Sequence, residues 1–387
     1  MKTVYLDNNA TTRLRPAALQ AMMPYLTDLY GNPSSLHAFG SQVGRAIDTA
    51  REQVAALLDV RSQDIVFTGS GSEGNNTALK GYAEAMPEKR HIVTTPVEHP
   101  CVSETCAWLR GRGFEVTEVP IAKDGTIDVA QWTAALRPDT CVATAMAANN
   151  ETGVLFPYRE MAAACAQAGV AFHCDGVQAA GKIPVSLKDT AVTSMTIAAH
   201  KFGGPKGVGA LYVRRGARMK PLIVGGHQEK GRRAGTENVA GIVGMGAAAE
   251  QAMRELPREG TELRALRDRL EALALERVPG AIRNGHKDLR VPNTANIGFP
   301  GVEGEAVLLI LSQFGVCVSI GSACSSGSTE PSHVLKAMQV PHSHVYGSVR
   351  FSLSLENTSE DIDYTAAKTA EAVERLRKVS GKEPARK

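Results

Sequence analysis

The feature that most constrains the fold is an alternation of short apolar segments with amphipathic ones through the first two-thirds of the chain. The apolar segments are rich in β-branched residues, which favours buried strands. Amphipathic segments typical of helices lie between several of them, at 73–86, 101–112 and 158–168. Strands that alternate with helices predict a mostly parallel sheet with helices on both faces. The seven predicted strands are 64–68, 91–95, 114–119, 140–147, 170–174, 192–198 and 209–213.

The pattern changes after a long helical region at about 237–277. Strand-like runs at 294–299 and 348–353 and helix-like runs at 303–314 and 361–378 predict a smaller α+β unit. The length of 387 residues also exceeds the size at which a single hydrophobic core stops growing. We therefore expect two domains.

Charge and hydropathy exclude several classes of partner. The 43 basic and 40 acidic residues give a net charge of +3 without a block of like charge, which argues against nucleic acid and membrane surfaces. Residues 1–7 lack the apolar region of a secretory signal, and the longest apolar stretch, near 239–249, is about half a membrane span. We expect a soluble, cytoplasmic protein.

The cysteine pattern indicates reduced thiols rather than disulfide bonds. The seven cysteines are odd in number and no signal peptide precedes them. No spacing of cysteine and histidine suggests zinc, so no metal is predicted to be required. Most of the cysteines lie in apolar runs, typical of small buried side chains, and Cys324 is the exception.

A Gly/Ser-rich turn follows the first predicted strand of the sheet. The run Gly69-Ser70-Gly71-Ser72-Glu73-Gly74-Asn75-Asn76 opens a helix. Backbone N–H groups at a helix N-terminus, together with hydroxyls, can bind a phosphate. Such turns are also common as plain structure, and this one matches neither a Walker A loop nor a GxGxxG motif. Both interpretations stay open at this point.

Two further motifs suggest groups that handle an organic cofactor. Lys201 follows an apolar strand and precedes a glycine-rich turn, where desolvation lowers the pKa of an amine and favours a Schiff base. Asp175 ends a buried strand, where a carboxylate needs a partner such as a protonated pyridine nitrogen. Gln178, three residues on, is placed to reach a ring hydroxyl. The alternatives are a surface lysine and an aspartate that caps a helix.

Cys324 lies in the run 319–331, which is too rich in Gly and Ser to be a packed element. We expect a mobile loop there and an exposed thiol. A thiol that acts as a nucleophile or carries sulfur needs such access.

Many segments together resemble the cysteine desulfurases, pyridoxal-phosphate enzymes of the class V aminotransferase fold, and among them the nitrogen-fixation type. The likeness covers nearly the whole chain. It rests on the motifs at 5–12, 31–35, 98–100, 149–153, 225–229, 232–238, 321–327, 331–334 and 350–353, which occur in order.

The resemblance implies a fold and a division into domains. The fold is the fold type I of pyridoxal-phosphate transferases, an α/β fold with a mostly parallel seven-stranded sheet and a smaller C-terminal α+β domain. Residues 1–14 form a segment that packs with the small domain, 15–255 the large cofactor-binding domain, and 256–387 the small domain with the cysteine loop.

The resemblance also implies roles for individual residues. Lys201 forms the Schiff base with pyridoxal 5′-phosphate, Asp175 pairs with the pyridine nitrogen, and His99 stacks on the ring and shuttles protons. Cys324 attacks the sulfur of the substrate and becomes a persulfide. The remaining implied contacts are those of Gln178 and Asn150 with the ring oxygen, of Gly71, Ser72, His200 and Thr236 with the phosphate, and of Arg350 and Asn150 with the substrate carboxylate.

The implied partners are L-cysteine, a second copy of the chain that supplies Thr236, and a sulfur acceptor such as an iron–sulfur scaffold protein. Transient contact of Cys324 with a transferred cluster stays open. Ala198 stands where housekeeping members generally carry serine, and the chain ends soon after its last helix, which favours nitrogenase maturation. Gly74 and Gly176 replace larger residues of the family and predict looser local packing.

Two rivals remain at this point. Another class V enzyme, such as an aminotransferase or a selenocysteine lyase, keeps the lysine and aspartate but does not need Cys324. A sulfur carrier or scaffold without catalytic activity does not need Lys201.

Overall fold

The computed structural model describes residues 2–320 and 331–381. Its strands are β1 (Val4–Tyr5), β2 (Ile65–Thr68), β3 (His91–Thr94), β4 (Glu115–Glu118), β5 (Thr140–Met146), β6 (Ala171–Asp175), β7 (Ser194–Ala198), β8 (Gly209–Val213), β9 (Ile282–Arg283), β10 (Thr294–Gly298), β11 (Val316–Cys317) and β12 (Ser348–Ser352).

Twelve α-helices connect and cover these strands within the described residues. They are α1 (Pro16–Leu26), α2 (Ala38–Leu58), α3 (Gly71–Ala85), α4 (Pro100–Arg110), α5 (Val129–Ala135), α6 (Tyr158–Gln167), α7 (Val239–Arg258), α8 (Arg264–Arg277), α9 (Gly304–Gln313), α10 (His333–Ala337), α11 (His342–Val345) and α12 (Ser359–Ser380). A π-helical segment, Glu259–Leu263, joins α7 to α8 and begins two residues after Pro257, which has no N–H to donate.

The central sheet has seven strands in the order β2-β8-β7-β6-β5-β3-β4. The pairings among β7, β6, β5, β3 and β4 are parallel, and β8 is antiparallel to both of its neighbours. All seven residues of β5 are buried, as expected for a strand with helices on both faces. The predicted α/β fold with a mostly parallel seven-stranded sheet is confirmed.

A second, smaller sheet has its own apolar core. Strands β12, β10 and β9 pair antiparallel in that order, and Ile297, Phe299 and Phe351 are completely buried with side chains from α8, α9 and α12. The N-terminal strand β1 pairs in parallel with β11 and packs in the same core. The predicted change of pattern after the long helical region is therefore confirmed.

The topology determines where the chemistry lies. Strands β2, β3, β5, β6 and β7 all point in the same direction, so their carboxyl ends meet at one edge of the central sheet. Open α/β sheets bind ligands at this edge. None of the described helices is both long and apolar enough to cross a membrane.

Candidate active site

The loops that follow these carboxyl ends bring together most of the residues singled out in the sequence. Asp175 ends β6, Lys201 lies three residues after β7, and His99 immediately precedes α4 after β3. The N-terminus of α3 follows β2, and Asn150 follows β5. Residues distant in the sequence therefore surround one site.

Asp175 is a buried carboxylate with directed partners. It is 6% exposed, and its Oδ2 accepts a hydrogen bond of 2.7 Å from Asn75 Nδ2. Its Oδ1 accepts a hydrogen bond of 3.0 Å from the backbone N–H of Val177. A buried charge is tolerated only with such partners, so this position suits the stabilisation of a cationic group on a ligand.

Lys201 ends a short 3₁₀ turn, Ala199–Lys201, after β7. Its Nζ donates to the carbonyl oxygens of Asn9 at 2.5 Å and Ala10 at 2.8 Å. The N-terminal segment therefore holds this amine next to the end of the central sheet. The adjacent His200 bonds Thr11 Oγ1 through Nδ1, and burial, with Lys201 and Lys206 nearby, lowers the pKa of His200 to about 4.

His99 is the N-cap of α4, because its Nδ1 accepts the backbone N–H of Cys101 at 3.2 Å. Burial lowers the pKa of the His99 imidazole. Asp175 raises this pKa, whereas Lys201 and His333 lower it further. The ring is therefore neutral near neutral pH. Cys101 Sγ lies 3.0 Å from the same Nδ1 atom.

The start of α3 has the properties of an anion site. Ser70 is the N-cap and accepts the Glu73 N–H, and the first N–H groups of a helix lack partners within the helix. A Cβ on Gly71 would lie 3.0 Å from Val177 Cγ2 and 3.5 Å from Ala198 Cβ. Gly71 thus lies against the turns that follow Asp175 and β7, at a helix N-terminus that can bind a phosphate.

Arg350 lies on β12 of the small sheet with its side chain buried. Its Nη2 donates to Asp7 Oδ1 at 2.7 Å and its Nη1 to the carbonyl of Asn150 at 3.0 Å. Arg350 Nε is buried and has no hydrogen-bond partner among the described residues. The guanidinium is therefore fixed at the junction of the two sheets, and one hydrogen on each terminal nitrogen is left over from these two bonds.

Gln178 and Asn150 both contact the N-terminal segment. Gln178 Nε2 donates to the Asn9 carbonyl at 3.0 Å, and the Asn150 carbonyl accepts Asn9 Nδ2 at 3.1 Å. Both residues thus lie beside Asn9, whose carbonyl also accepts the Lys201 amine.

Thr236 and Cys324 are not placed in this group. Thr236 lines a different cavity of about 100 Å³, together with Thr68, Gly69 and Arg233. Cys324 lies outside the described residues, and so does most of the predicted loop 319–331. The roles of these two residues stay predictions.

Several residues at the site were missed from the sequence. Lys182 is buried, donates to Asn9 Oδ1 at 2.8 Å and Gln178 Oε1 at 2.5 Å, and has a pKa well below its usual value because of burial. Asn75 and Cys101 connect Asp175 to His99. Asn9 and Asn75 lie within motifs that the sequence analysis used, but only the fold shows what their side chains contact.

Comparisons with known proteins agree with this geometry. Residues 4–365 match the family model "Aminotransferase class-V". A cysteine desulfurase of Nostoc sp. strain PCC 7120 is 51% identical over 380 residues, which cover 98% of this chain and 95% of that protein. The cysteine desulfurase NifS of Azotobacter vinelandii is 49% identical over 381 residues, with 98% and 95% covered.

Solved structures show the same likeness. A NifS-like protein superposes with a TM-score of 0.91 at 37% identity, covering 97% of this chain and 100% of that one. A structure described as SspA in complex with cysteine has a TM-score of 0.80 at 33% identity, with 91% and 99% covered. The chain belongs to the class V aminotransferases and, within them, to the cysteine desulfurases.

Enzymes of this family use pyridoxal 5′-phosphate, and the site fits that group. The cofactor has a basic ring nitrogen, an aldehyde and a phosphate. The site offers a buried carboxylate at Asp175, an amine at Lys201 and a helix N-terminus at Gly71, all along one edge of the sheet. The donor set therefore matches the three functional groups of the cofactor.

Proposed function

We propose that Cys324 takes the sulfur of L-cysteine as a persulfide and that the substrate leaves as L-alanine. The observation that carries this proposal is the 51% identity to a cysteine desulfurase over 98% of the chain. The C–S bond of the substrate breaks and an S–S bond forms on Cys324. One thiol proton stays on the persulfide and the other reaches the alanine methyl group, so no external oxidant or reductant is needed.

The residues at the carboxyl edge of the sheet would hold the cofactor. Lys201 would hold its aldehyde carbon, Asp175 its ring nitrogen, and Gln178 and Asn150 its ring oxygen. The phosphate would be bound by Gly71, Ser72 and His200. When bound, the protonated ring serves as an electron sink for negative charge on the substrate. The buried Asp175 carboxylate supports this assignment, because an anion there keeps the ring nitrogen protonated.

Two groups of the chain move protons. In this proposal Lys201 Nζ takes the proton from the α-carbon of the substrate, because the Asn9 and Ala10 carbonyls hold this amine next to the end of the central sheet. His99 acts on the substrate thiol. Its neutral ring near neutral pH supports a role in proton transfer.

Arg350 binds the carboxylate of the substrate. Asp7 and the Asn150 carbonyl each accept one hydrogen bond from its terminal nitrogens, and each of these nitrogens keeps a second N–H for the substrate. A guanidinium fixed in this way needs little reorganisation when a carboxylate arrives. This supports a small amino acid as the substrate.

We also propose a homodimer in which Thr236 of one chain completes the phosphate site of the other. Large apolar side chains are exposed on one face of α1, at Leu19, Met23 and Leu26, and again at 222–224. Exposed apolar groups of this size are typical of interfaces between chains.

The division at residues 14 and 255 is our proposal for the domains. The separate apolar core around β10 and β12, which includes Val4 and Leu6, supports it.

The sulfur goes to an iron–sulfur scaffold or another acceptor protein in the cytoplasm, and we propose nitrogenase maturation as the process. Identity of 49% to NifS of Azotobacter vinelandii supports this choice. Transfer of sulfur from the loaded enzyme to a purified nitrogenase-type scaffold, compared with a housekeeping scaffold, tests it. Equal transfer to both would remove the preference.

The variant Cys324→Ala distinguishes the proposed desulfurase from the rival enzyme, a selenocysteine lyase. We expect this variant to lose alanine formation from L-cysteine by about 100-fold or more, because the sulfur then has no acceptor. Alanine is measured with dithiothreitol present to release the sulfur. Cys317→Ala, which removes a part-exposed thiol on β11, serves as the control with unchanged turnover. Full activity of Cys324→Ala would favour the lyase.

A further inference from the structure

Asn75 has only one possible orientation in the site. Its side chain is completely buried on α3 and lies 2.7 Å from Asp175 Oδ2. A carboxylate accepts hydrogen bonds and does not donate, so the Asn75 atom that faces it must be the amide nitrogen. The second hydrogen of Nδ2 points to Cys101 Sγ at 3.1 Å. The Asn75 oxygen must therefore face the other way.

This orientation fixes the tautomer of His173. His173 Nε2 lies 2.9 Å from Asn75 Oδ1, so Nε2 carries the proton and donates it. Burial lowers the pKa of His173 to about 3, so the ring is neutral and Nδ1 is an acceptor. Ser194 Oγ lies 2.9 Å from Nδ1 and donates to it. The chain of donors runs from Ser194 through His173 and Asn75 to Asp175.

The same reasoning applies to His99. The backbone N–H of Cys101 donates to His99 Nδ1, and Cys101 Sγ lies 3.0 Å from that atom. Burial, with Asp175 next in effect, raises the pKa of the Cys101 thiol to about 12, so the thiol keeps its proton and donates it. Nδ1 of the neutral ring is thus an acceptor, and the proton of His99 is on Nε2.

Other titratable groups face Asp175 and His99 from several elements. Glu98 interacts with Asp175 from the turn after β3, and Cys174 does so from β6. Lys201 and His333 face His99 from the turn after β7 and from α10. Asn75 also faces Asp175. It donates a hydrogen bond to the Asp175 carboxylate and carries no charge at any pH.

We propose that Asn75 and Cys101 are positioning residues: Asn75 orients the Asp175 carboxylate by donating to its Oδ2, and the backbone N–H of Cys101 holds His99 as the Nε2–H tautomer. Neither residue contacts the reacting atoms in this account. Only the consequence of this arrangement for catalysis rests on the proposed function. The positions of the protons on Asn75, His173 and His99 are expected to be the same in the chain without its cofactor.

The first test is Asn75→Asp, which keeps the shape of the side chain and removes its donors. Two carboxyl groups then face each other and share one proton, and the new carboxylate beside His173 lets that ring become charged. We expect the pH at which the cofactor absorbance of the holoenzyme changes to differ from that of the parent by about one unit or more. One unit is a tenfold change in proton affinity. We also expect the cofactor-free variant to show a protonated His173 at pH 5, read from nitrogen-15 spectra of labelled histidine.

Asn76→Asp is the matched control. It adds the same charge one residue further along α3, where Asn76 bonds Ser72 and Thr105 and does not contact Asp175. We expect parent-like titration and spectra. An Asn75→Asp protein with the parent's absorbance titration and a neutral His173 would overturn the proposal for Asn75.

The second test uses Cys101 and stays decisive if Asn75→Asp fails to fold. In the cofactor-free parent, nitrogen-15 spectra are expected to show His99 protonated on Nε2, with the signal assigned by its loss in His99→Gln. Cys101→Ser and Cys101→Ala both keep the backbone N–H of residue 101 and are expected to give the same spectrum. A His99 ring protonated on Nδ1 in the parent, or a change of tautomer in Cys101→Ala, would overturn the proposal for Cys101. These spectra do not depend on turnover, so a failure of the proposed function is seen separately.

Discussion

Glu98 is a completely buried carboxylic acid beside His99. Its Oε1 accepts hydrogen bonds from Thr95 Oγ1 at 2.7 Å and from the Met146 N–H at 3.1 Å. Its Oε2 is buried without a hydrogen-bond partner among the described residues. Burial, together with Asp175, raises the pKa of Glu98 to about 8. The hydrogen bonds from Thr95 and Met146 lower this pKa but do not offset the effect of burial. Glu98 is therefore neutral at pH 7, and its proton is on Oε2.

Glu98→Gln tests this protonation state through stability. The folded chain holds the proton up to about pH 8, whereas the unfolded carboxyl loses it near its model value of 4.5. Folding stability is thus fully present below pH 4.5 and falls as the pH rises to about 8. The neutral amide cannot ionise, so we expect the variant to gain on the order of 5 kcal/mol relative to the parent between these limits.

Urea unfolding at a series of pH values measures the difference. Equal pH dependence in the two proteins would mean that Glu98 is ionised in the folded chain.

At the scale of single residues, the sequence predicted the groups that carry charge or react. Asp175, Lys201 and His99 stand next to strand ends and within motifs, and the fold brings them together. Asn75 and Cys101 were not predicted as partners, because the sequence does not show that α3 and α4 start side by side at the sheet edge. Their roles depend on contacts of about 3 Å between elements.

At the scale of elements, the seven strands were predicted to within two residues at each end. Six of them are buried and mostly apolar, whereas β4 is an edge strand with exposed ends. The direction of β8 was not predicted, since a run such as Gly209–Val213 has the same composition in either direction. Helices α1, α2 and α5 were also not predicted. The expectation of loose packing at Gly74 is wrong, because a Cβ there would lie 2.7 Å from Thr196 Cγ2.

Substitutions at Gly74 and Thr196 should therefore have non-additive effects on the free energy of unfolding. We expect Gly74→Ala to destabilise the cofactor-free chain by about 1–2 kcal/mol, because overpacking against β7 exceeds the gain in helix propensity. Thr196→Ala removes the contacting atoms, and its buried Oγ1 has no hydrogen-bond partner among the described residues. The double variant should recover most of the loss, as measured by a double-mutant cycle in urea.

Gly260→Ala is a suitable control, since an added methyl there meets no atom within 4 Å. Additive effects of the two substitutions would contradict the close contact between α3 and β7.

At the scale of the whole molecule, the predicted homodimer can be tested at an exposed apolar residue. Val224 is 78% exposed next to Leu222 and Ile223. We expect Val224→Asp to weaken the dimer, since a charge buried in an interface lacks a partner. Sedimentation should show the parent at twice 41.1 kDa and the variant shifted towards one chain.

Val379→Asp provides the matched control, because Val379 on α12 is 83% exposed and lies outside the two exposed apolar segments. A parent that sediments as a single chain would contradict the dimer and the assignment of Thr236 to the partner's site.

The central claim is that sulfur from cysteine becomes bound to Cys324. The most direct measurement is mass analysis of the peptide that contains Cys324 after the holoenzyme has been incubated with L-cysteine without a reductant. The account predicts one added sulfur atom on Cys324, alanine formed in equal amount, and neither product in Lys201→Ala. Alanine formed with an unmodified Cys324, or sulfur bound at another cysteine, would contradict it.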